Sequence, residues 1–135
     1  MPATFGIVDL FAGPGGLGEG FASLDVGGQH PFHIGISVEK EASAHRTLRL
    51  RAFLRDHDSR HGTLPEAFVK LHAGVTDEPD WSEVDAAAWA EATSETLLTV
   101  KDWVVRVVGF DDGSVSCLAQ VTHGPISFSM WSGAD

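Results

Sequence analysis

The sequence is poor in several residue types, and each shortage excludes a class of protein. It contains a single cysteine, so an internal disulfide framework is impossible and a reducing compartment is expected. No run of about 18 apolar residues is present, and residues 1–4 lack a basic segment followed by an apolar one. From these absences we expect a cytoplasmic protein without a membrane-spanning segment.

Basic residues are also scarce. Nine Lys and Arg stand against nineteen Asp and Glu, which gives a formal net charge of −10. A negative net charge argues against a protein that binds nucleic-acid phosphates by itself. The basic residues are unevenly distributed, however, and five of them lie within sixteen positions: Lys40, Arg46, Arg49, Arg51 and Arg55. Such a cluster is either the solvated face of a helix or a local patch that binds nucleic acid or a partner.

The length of 135 residues and the 43% hydrophobic composition predict about one globular domain. Apolar runs predict buried strands over 5–11 and 32–38. Helices are predicted over residues 16–24, 41–56, 65–71 and 82–93. Strand, glycine-rich turn, helix, strand and helix, in this order, are typical of a parallel α/β sheet.

The sequence pattern changes after Glu95. Residues 103–108 and 115–121 are rich in valine and flank Asp111-Asp112-Gly113-Ser114, a strong signal for a β-hairpin. An antiparallel hairpin does not continue a parallel βαβ pattern. We therefore divide the chain into a βαβ part, residues 1–95, and a hairpin-containing tail, residues 96–135.

A glycine-rich segment follows the first predicted strand. Residues 9–21, Asp-Leu-Phe-Ala-Gly-Pro-Gly-Gly-Leu-Gly-Glu-Gly-Phe, contain five glycines, which let a backbone turn tightly and approach a ligand. Gly13, Gly15 and Gly18 have the G-x-G-x-x-G spacing. Glu39 stands 21 positions beyond Gly18, where a carboxylate can accept ribose hydroxyls. This combination predicts an adenosine-containing ligand at the carboxyl end of the first strand.

The residues around these glycines are those of a known family. Asp-Leu-Phe-Ala-Gly-x-Gly-Gly, followed by Gly20-Phe21, closely resembles the first motif of the DNA (cytosine-5)-methyltransferases. The resemblance implies an incomplete Rossmann-like, S-adenosylmethionine-dependent methyltransferase sheet, related to restriction–modification or orphan modification enzymes. It also implies which residues bind the cofactor: Phe11, Ala12, Gly13, Gly15 and Gly16 around the methionine part, Glu39 at the ribose, and Lys40 beside the adenine. Residues 72–76 are similar to the third motif, with Asp77 in place of its acidic residue.

The resemblance ends before the catalytic residues. In that family a cysteine in Pro-Cys-Gln attacks C6 of a flipped-out cytosine, and the glutamate of Glu-Asn-Val contacts N3. This chain has no asparagine, and its single cysteine, Cys117, has no adjacent proline. We therefore predict no catalytic residue here and an inactive chain, which contacts DNA only through missing regions or through a complementary methyltransferase fragment.

Several alternatives stay open. The chain is either a truncated or frame-shifted methyltransferase product or one piece of a split enzyme. A non-catalytic binding or assembly module, and a fragment of an NAD-dependent oxidoreductase, are further alternatives.

Histidines and tryptophans add weaker signals. Two histidine pairs, at positions 30 and 33 and at positions 57 and 61, have the spacing of metal ligands, but no third ligand is spaced to complete either site. We therefore predict no metal site. The four tryptophans, at positions 81, 89, 103 and 131, are expected in the core or at an interface.

Overall fold

The structure is a computed structural model that describes the backbone of residues 5–98, 104–109, 115–121 and 124–130, and the side chains of residues 5–98. The chain consists of two compact units, Met1–Thr99 and Val100–Asp135.

The first unit is an α/β structure, as predicted. Its elements, in chain order, are β1 (Phe5–Leu10), α1 (Gly16–Ala22), β2 (Phe32–Glu39), α2 (Ala42–His61), α3 (Glu66–His72), α4 (Trp81–Val84), α5 (Ala86–Glu95) and β3 (Thr96–Leu98). The helix predicted over 82–93 is divided into α4 and α5, because Asp85 has an extended backbone with φ −154° and ψ 97°. None of the helices in the described part of the chain is both long and apolar enough to cross a bilayer.

The sheet of this unit is parallel, with the strand order β1-β2-β3. The pairing of β1 with β2 is interrupted by a bulge, because Ile7 faces Ile34 and Val8 faces Ile36. The carboxyl half of β2, from Ile36 to Glu39, is buried. This half of β2 lies between β1 and β3, because β1 pairs with one side of it and β3 pairs with Ser37–Glu39 on the other.

The short strand β3 changes the predicted division of the chain. Residues 96–98, which the sequence pattern places in the tail, belong to the first unit in the structure. Parallel pairing with β2 accounts for the difference, because a three-residue strand has too little local pattern to be recognised in the sequence.

The core of the first unit lies between helices α2 and α5. Ala52 and Phe53 of α2 are buried with Ala88 and Ala92 of α5 and with Trp81. The ring of Phe53 is fully buried, and its centroid lies 5.3 Å from that of Trp81. A phenylalanine side chain buried in this way contributes about 3–5 kcal/mol to stability when compared with alanine.

The tryptophan prediction is confirmed for the two tryptophans of the first unit. Trp81 is a core residue and Trp89 packs against the core, whereas Trp103 and Trp131 lie outside the described residues.

The second unit contains a separate antiparallel sheet. Its strands are β4 (Val104–Gly109), β5 (Val115–Val121) and β6 (Gly124–Met130), paired in chain order. The predicted hairpin corresponds to β4 and β5, and its turn residues, 111–114, lie outside the described residues. Strand β6 was not predicted, although Ile126, Phe128 and Met130 alternate there with Pro125, Ser127 and Ser129.

Candidate ligand site at the glycine loop

The glycine loop connects β1 to α1 at the carboxyl edge of the parallel sheet. Three of its residues have left-handed backbone conformations, Phe11 with φ 60°, Gly13 with φ 58° and Gly15 with φ 91°. A left-handed conformation costs a non-glycine residue such as Phe11 about 1–2 kcal/mol. A hydrogen bond connects the loop to β2: the N–H of Ala12 donates to the carbonyl oxygen of Val38 at 2.9 Å.

The carboxylate of Glu39, at the end of β2, binds the loop directly. One of its oxygens, Oε2, accepts the N–H of Gly13 at 2.7 Å. The other, Oε1, accepts the N–H groups of Lys40 and Glu41, each at 2.8 Å. Glu39 is only 8% exposed. Its carboxylate therefore connects the glycine loop to the start of the segment that leads into α2.

These backbone donors keep the carboxyl group of Glu39 ionised. The N–H of Glu41 has the largest effect and lowers the pKa of Glu39, burial acts in the opposite direction, and Gly13 and Lys40 lower the pKa further. The net result is a pKa below the ordinary value for glutamate. A buried acceptor that carries a full negative charge therefore faces the loop at neutral pH.

Packing and backbone conformation require glycine at position 15 of the loop region but not at position 18. Gly15 precedes α1, and a Cβ at this position would lie 2.8 Å from Cδ1 of Leu48 on α2. A Cβ at Gly18 would lie 3.4 Å from Cδ1 of Ile34 and 3.5 Å from Oδ2 of Asp9. Gly15 thus lets the start of α1 pack closely against α2, whereas the contacts at Gly18 are ordinary van der Waals distances.

The three other glycines of the segment, Gly13, Gly16 and Gly20, face open space. A Cβ at Gly13 or Gly16 would meet no atom of the described residues within 4 Å, chain neighbours aside. The positive φ of Gly13 accounts for glycine there. Gly16 has no positive φ and opens a helix, where alanine is the better residue. Neither the backbone nor the packing of the described residues requires glycine at position 16 or at position 20. Gly16 adjoins the loop, where the absence of a side chain leaves room for a ligand.

The residues predicted to bind the cofactor lie together in the structure. Ala12 and Gly13 are half-buried, Gly15 is buried, Gly16 is exposed, and Phe11 is 77% exposed. Glu39 contacts the loop by accepting the N–H of Gly13. Lys40 donates its backbone N–H to Glu39, and its side chain is exposed to solvent. Asp77 is an exposed residue of the segment between α3 and α4.

Beneath the loop, Asp9 interrupts the apolar strand β1. Its Oδ2 atom is buried and, among the described residues, has no hydrogen-bond partner. Burial raises the pKa of Asp9. An unpaired carboxylate oxygen at this position is a polar acceptor next to the candidate site.

The basic cluster is largely engaged in contacts within the fold. Arg55 forms ion pairs with glutamates of two helices, and Arg46 donates to Glu78 at 3.1 Å. The guanidinium of Arg49 lies 4.4 Å from the centre of the Trp89 ring. Three of the five basic side chains therefore interact with other residues of the chain, which argues against a phosphate-binding patch.

Two grooves in the described part of the chain lie away from the glycine loop. One has a volume of about 710 Å³ and lies between α1 and α2, with Glu19, Arg51 and Arg55 among its lining residues. The other, of about 580 Å³, is lined by His57, by Val84 and by residues of the segment around α3.

One histidine pair differs from the prediction. No third ligand was predicted for His57 and His61, but the fold brings Asp85 next to both rings. Asp85 is 24 residues beyond His61 in the sequence, so no local spacing indicates this contact. The exposed pair His30 and His33 belongs to no such cluster within residues 5–98.

Comparisons of this chain with known protein families, with curated proteins and with solved structures found no match. The assignment of a function therefore depends on the geometry of the loop and on the residues that form it.

Proposed function

We propose that residues 5–98 are the S-adenosylmethionine-binding part of a DNA cytosine C5-methyltransferase, an incomplete Rossmann-like sheet in a cytoplasmic protein. We further propose that this chain does not methylate DNA by itself. The observation that carries the proposal is the 2.7 Å hydrogen bond from the N–H of Gly13 to Glu39. It joins the two features from which an adenosine ligand was predicted, the glycine loop and the acidic residue at the end of β2.

Glu39 has the charge and the free acceptor capacity that a ribose hydroxyl requires. A carboxylate offers about four lone-pair positions, and three are used by backbone N–H groups. The remaining position is on Oε2, which accepts one bond, whereas Oε1 accepts two. One ribose hydroxyl can therefore donate to Glu39 in the present geometry. A second hydroxyl would bind to Glu39 only if the N–H of Gly13 moved away from Oε2.

The loop supplies the surface for the methionine part of the cofactor. Gly13 and Gly16 have open space on their side-chain side, so that a ligand can contact the backbone there. Phe11 exposes most of its ring at the same edge. A bound ligand would cover this apolar surface, which is favourable by roughly 25 cal/mol for each Å² removed from water.

Methyl transfer needs groups that the first unit does not contain. C5 of cytosine reacts after a thiolate has added at C6, and the single cysteine of the chain is Cys117 in β5. A complementary fragment would supply the thiolate, the glutamate at N3 and the surface that binds DNA. In the part of the chain that the structure describes, the outer edges of the three-stranded sheet have no partner strand. Such a fragment would add strands there, next to the exposed side chains of Phe5 and Leu98.

Calorimetric titration of the full chain with S-adenosylmethionine, and separately with NAD, tests the proposal. We expect saturable binding of S-adenosylmethionine at one site per chain and weaker or no binding of NAD. Preferential binding of NAD would replace the proposal with an oxidoreductase fragment. Binding of neither ligand would leave the glycine loop as part of an assembly module and would refute the proposed function.

A further inference from the structure

Three potential metal ligands meet where the end of α2 reaches the start of α5. His57 and His61 are four residues apart on α2, so their side chains lie on the same face of the helix. Asp85 immediately precedes α5. The packing of α5 against α2 brings the three side chains together, and their ligand atoms all lie within 4.8 Å of one another.

Two of the three distances among these atoms are close to those in a metal coordination shell. Oδ2 of Asp85 lies 2.9 Å from Nδ1 of His57 and 3.0 Å from Nε2 of His61. Ligand atoms that surround Zn²⁺ at about 2.0–2.1 Å stand roughly 3.0–3.4 Å apart. An ion bound by all three atoms would displace the N–H protons that now lie between the histidines and Oδ2, and the side chains would turn to place the three atoms around it.

The carboxylate is already oriented for this role. Oδ1 of Asp85 accepts the N–H of Ala88 at 3.0 Å, which caps α5 and leaves Oδ2 directed at the histidines. The side chains of Asp85 and His57 are 11% and 13% exposed, and His57 packs against the ring of Phe53. Contacts that hold a ligand in place in this way strengthen metal binding.

The third ligand is more accessible. The side chain of His61 is 51% exposed, so that an ion can enter from the solvent. His57 also lines the groove of about 580 Å³, next to Pro65 and Val84. Three protein ligands fill three positions of a tetrahedral site, and the fourth is then available to water or to a small ligand.

We propose that His57, His61 and Asp85 bind one divalent transition-metal ion, with Zn²⁺ the best match to two imidazoles and a carboxylate. The site is distinct from the glycine loop. Leu48, the residue of α2 that lies next to Gly15, precedes His57 along the helix by a rise of about 13 Å. The ion would cross-link α2 to α5 and keep one coordination position open to solvent.

The proposal is tested by titrating the full chain with ZnCl₂ by calorimetry, and with Co²⁺ as a spectroscopic probe. We expect one ion per chain and the visible absorption bands of Co²⁺ with nitrogen and oxygen ligands. His61→Ala is the principal variant, because His61 is half-exposed and its loss should leave the fold intact. Asp85→Asn is the second, since the amide oxygen can still cap α5 without the negative charge.

The matched control is His33→Ala, which removes an exposed histidine of β2. Both site variants should weaken Zn²⁺ binding at least about tenfold, whereas the control should bind as the unaltered chain does. Circular dichroism verifies that each variant is folded, and if Asp85→Asn unfolds, His61→Ala decides. No binding by the unaltered chain, or equal weakening by His61→Ala and His33→Ala, would overturn the proposal. Titration of His61→Ala with S-adenosylmethionine separates this result from the proposed function, because that binding should be unchanged.

Discussion

Arg55 on α2 donates hydrogen bonds to both carboxylate oxygens of Glu95 on α5. The same guanidinium also binds Glu19 on α1, so that one side chain connects three helices. Burial raises the pKa of Glu95, and the charge of Arg55 opposes this effect. The ion pairs are therefore part of the packing of the first unit and compensate charges that the fold has partly removed from water.

Replacing Arg55 by alanine should destabilise the first unit by about 2 kcal/mol, less than for a fully buried pair because the groups keep some contact with water. The variant leaves Glu19 and Glu95 without their cation. Urea unfolding followed by circular dichroism measures the change. Arg51→Ala, which removes an exposed cation one turn earlier on α2, is the control and should change stability by less than about 0.5 kcal/mol. Equal losses in the two variants would contradict the structural role of Arg55.

Replacing Glu39 by alanine should weaken S-adenosylmethionine binding by about 1.5–3 kcal/mol, or tenfold or more, because a charged acceptor for the ribose is lost. Isothermal titration of the folded variant measures the change. The control is Glu83→Ala, which removes an exposed acidic residue of α4. Unchanged affinity in a folded Glu39→Ala protein would show that the carboxylate serves the loop and not the ligand.

Glu39 should also make stability depend on pH. Its pKa is lowered in the folded state, so its contribution is fully present above the unfolded value near 4.5 and is lost as the pH falls through the lower folded value. The stability difference between the unaltered chain and Glu39→Gln should therefore be constant near neutral pH and shrink in acid. Urea unfolding at several pH values between 3 and 7 provides the measurement. A difference that grows as the pH falls would contradict the assigned sign.

Two neighbouring glycines should respond differently to alanine. Gly15→Ala should destabilise the fold by about 2 kcal/mol, because the new Cβ meets Leu48 and the residue must keep a positive φ. Gly16→Ala should leave stability unchanged or slightly higher and should reduce S-adenosylmethionine affinity, since it fills only the open side of the loop. Thermal unfolding and ligand titration of both variants measure these effects. Full affinity in Gly16→Ala would place the ligand elsewhere.

The chain alone should transfer no methyl group to DNA. Incubation with tritiated S-adenosylmethionine and mixed-sequence duplex DNA, in parallel with Cys117→Ser, measures the activity. We expect no label on cytosine with either protein, because the sequence has no Pro-Cys-Gln motif and its net charge of −10 disfavours binding of duplex DNA. Label transferred by the unaltered chain but not by Cys117→Ser would identify Cys117 as the nucleophile. Activity that appears when a fragment carrying Pro-Cys-Gln is added would support the split enzyme.

The sequence by itself determined the elements that depend on local pattern. The apolar runs of β1 and β2, the glycines between them and the position of Glu39 at a strand end can all be recognised over a few residues, and the structure has each of them. The same is true of the pairing of β4 with β5, which the two valine-rich runs and their turn residues indicate. These features were predictable because strand periodicity and glycine geometry are properties of neighbouring residues.

Only the tertiary structure decided which distant side chains meet. Asp85 contacts His57 and His61 because α5 packs against α2. The same packing brings Arg55 into contact with Glu95, which is forty residues away in the sequence. Residues 96–98 form strand β3 because their backbone pairs with that of β2. In each case the partner is selected by the way buried surfaces fit together, and that fit depends on the whole core around Phe53, which no short stretch of sequence contains.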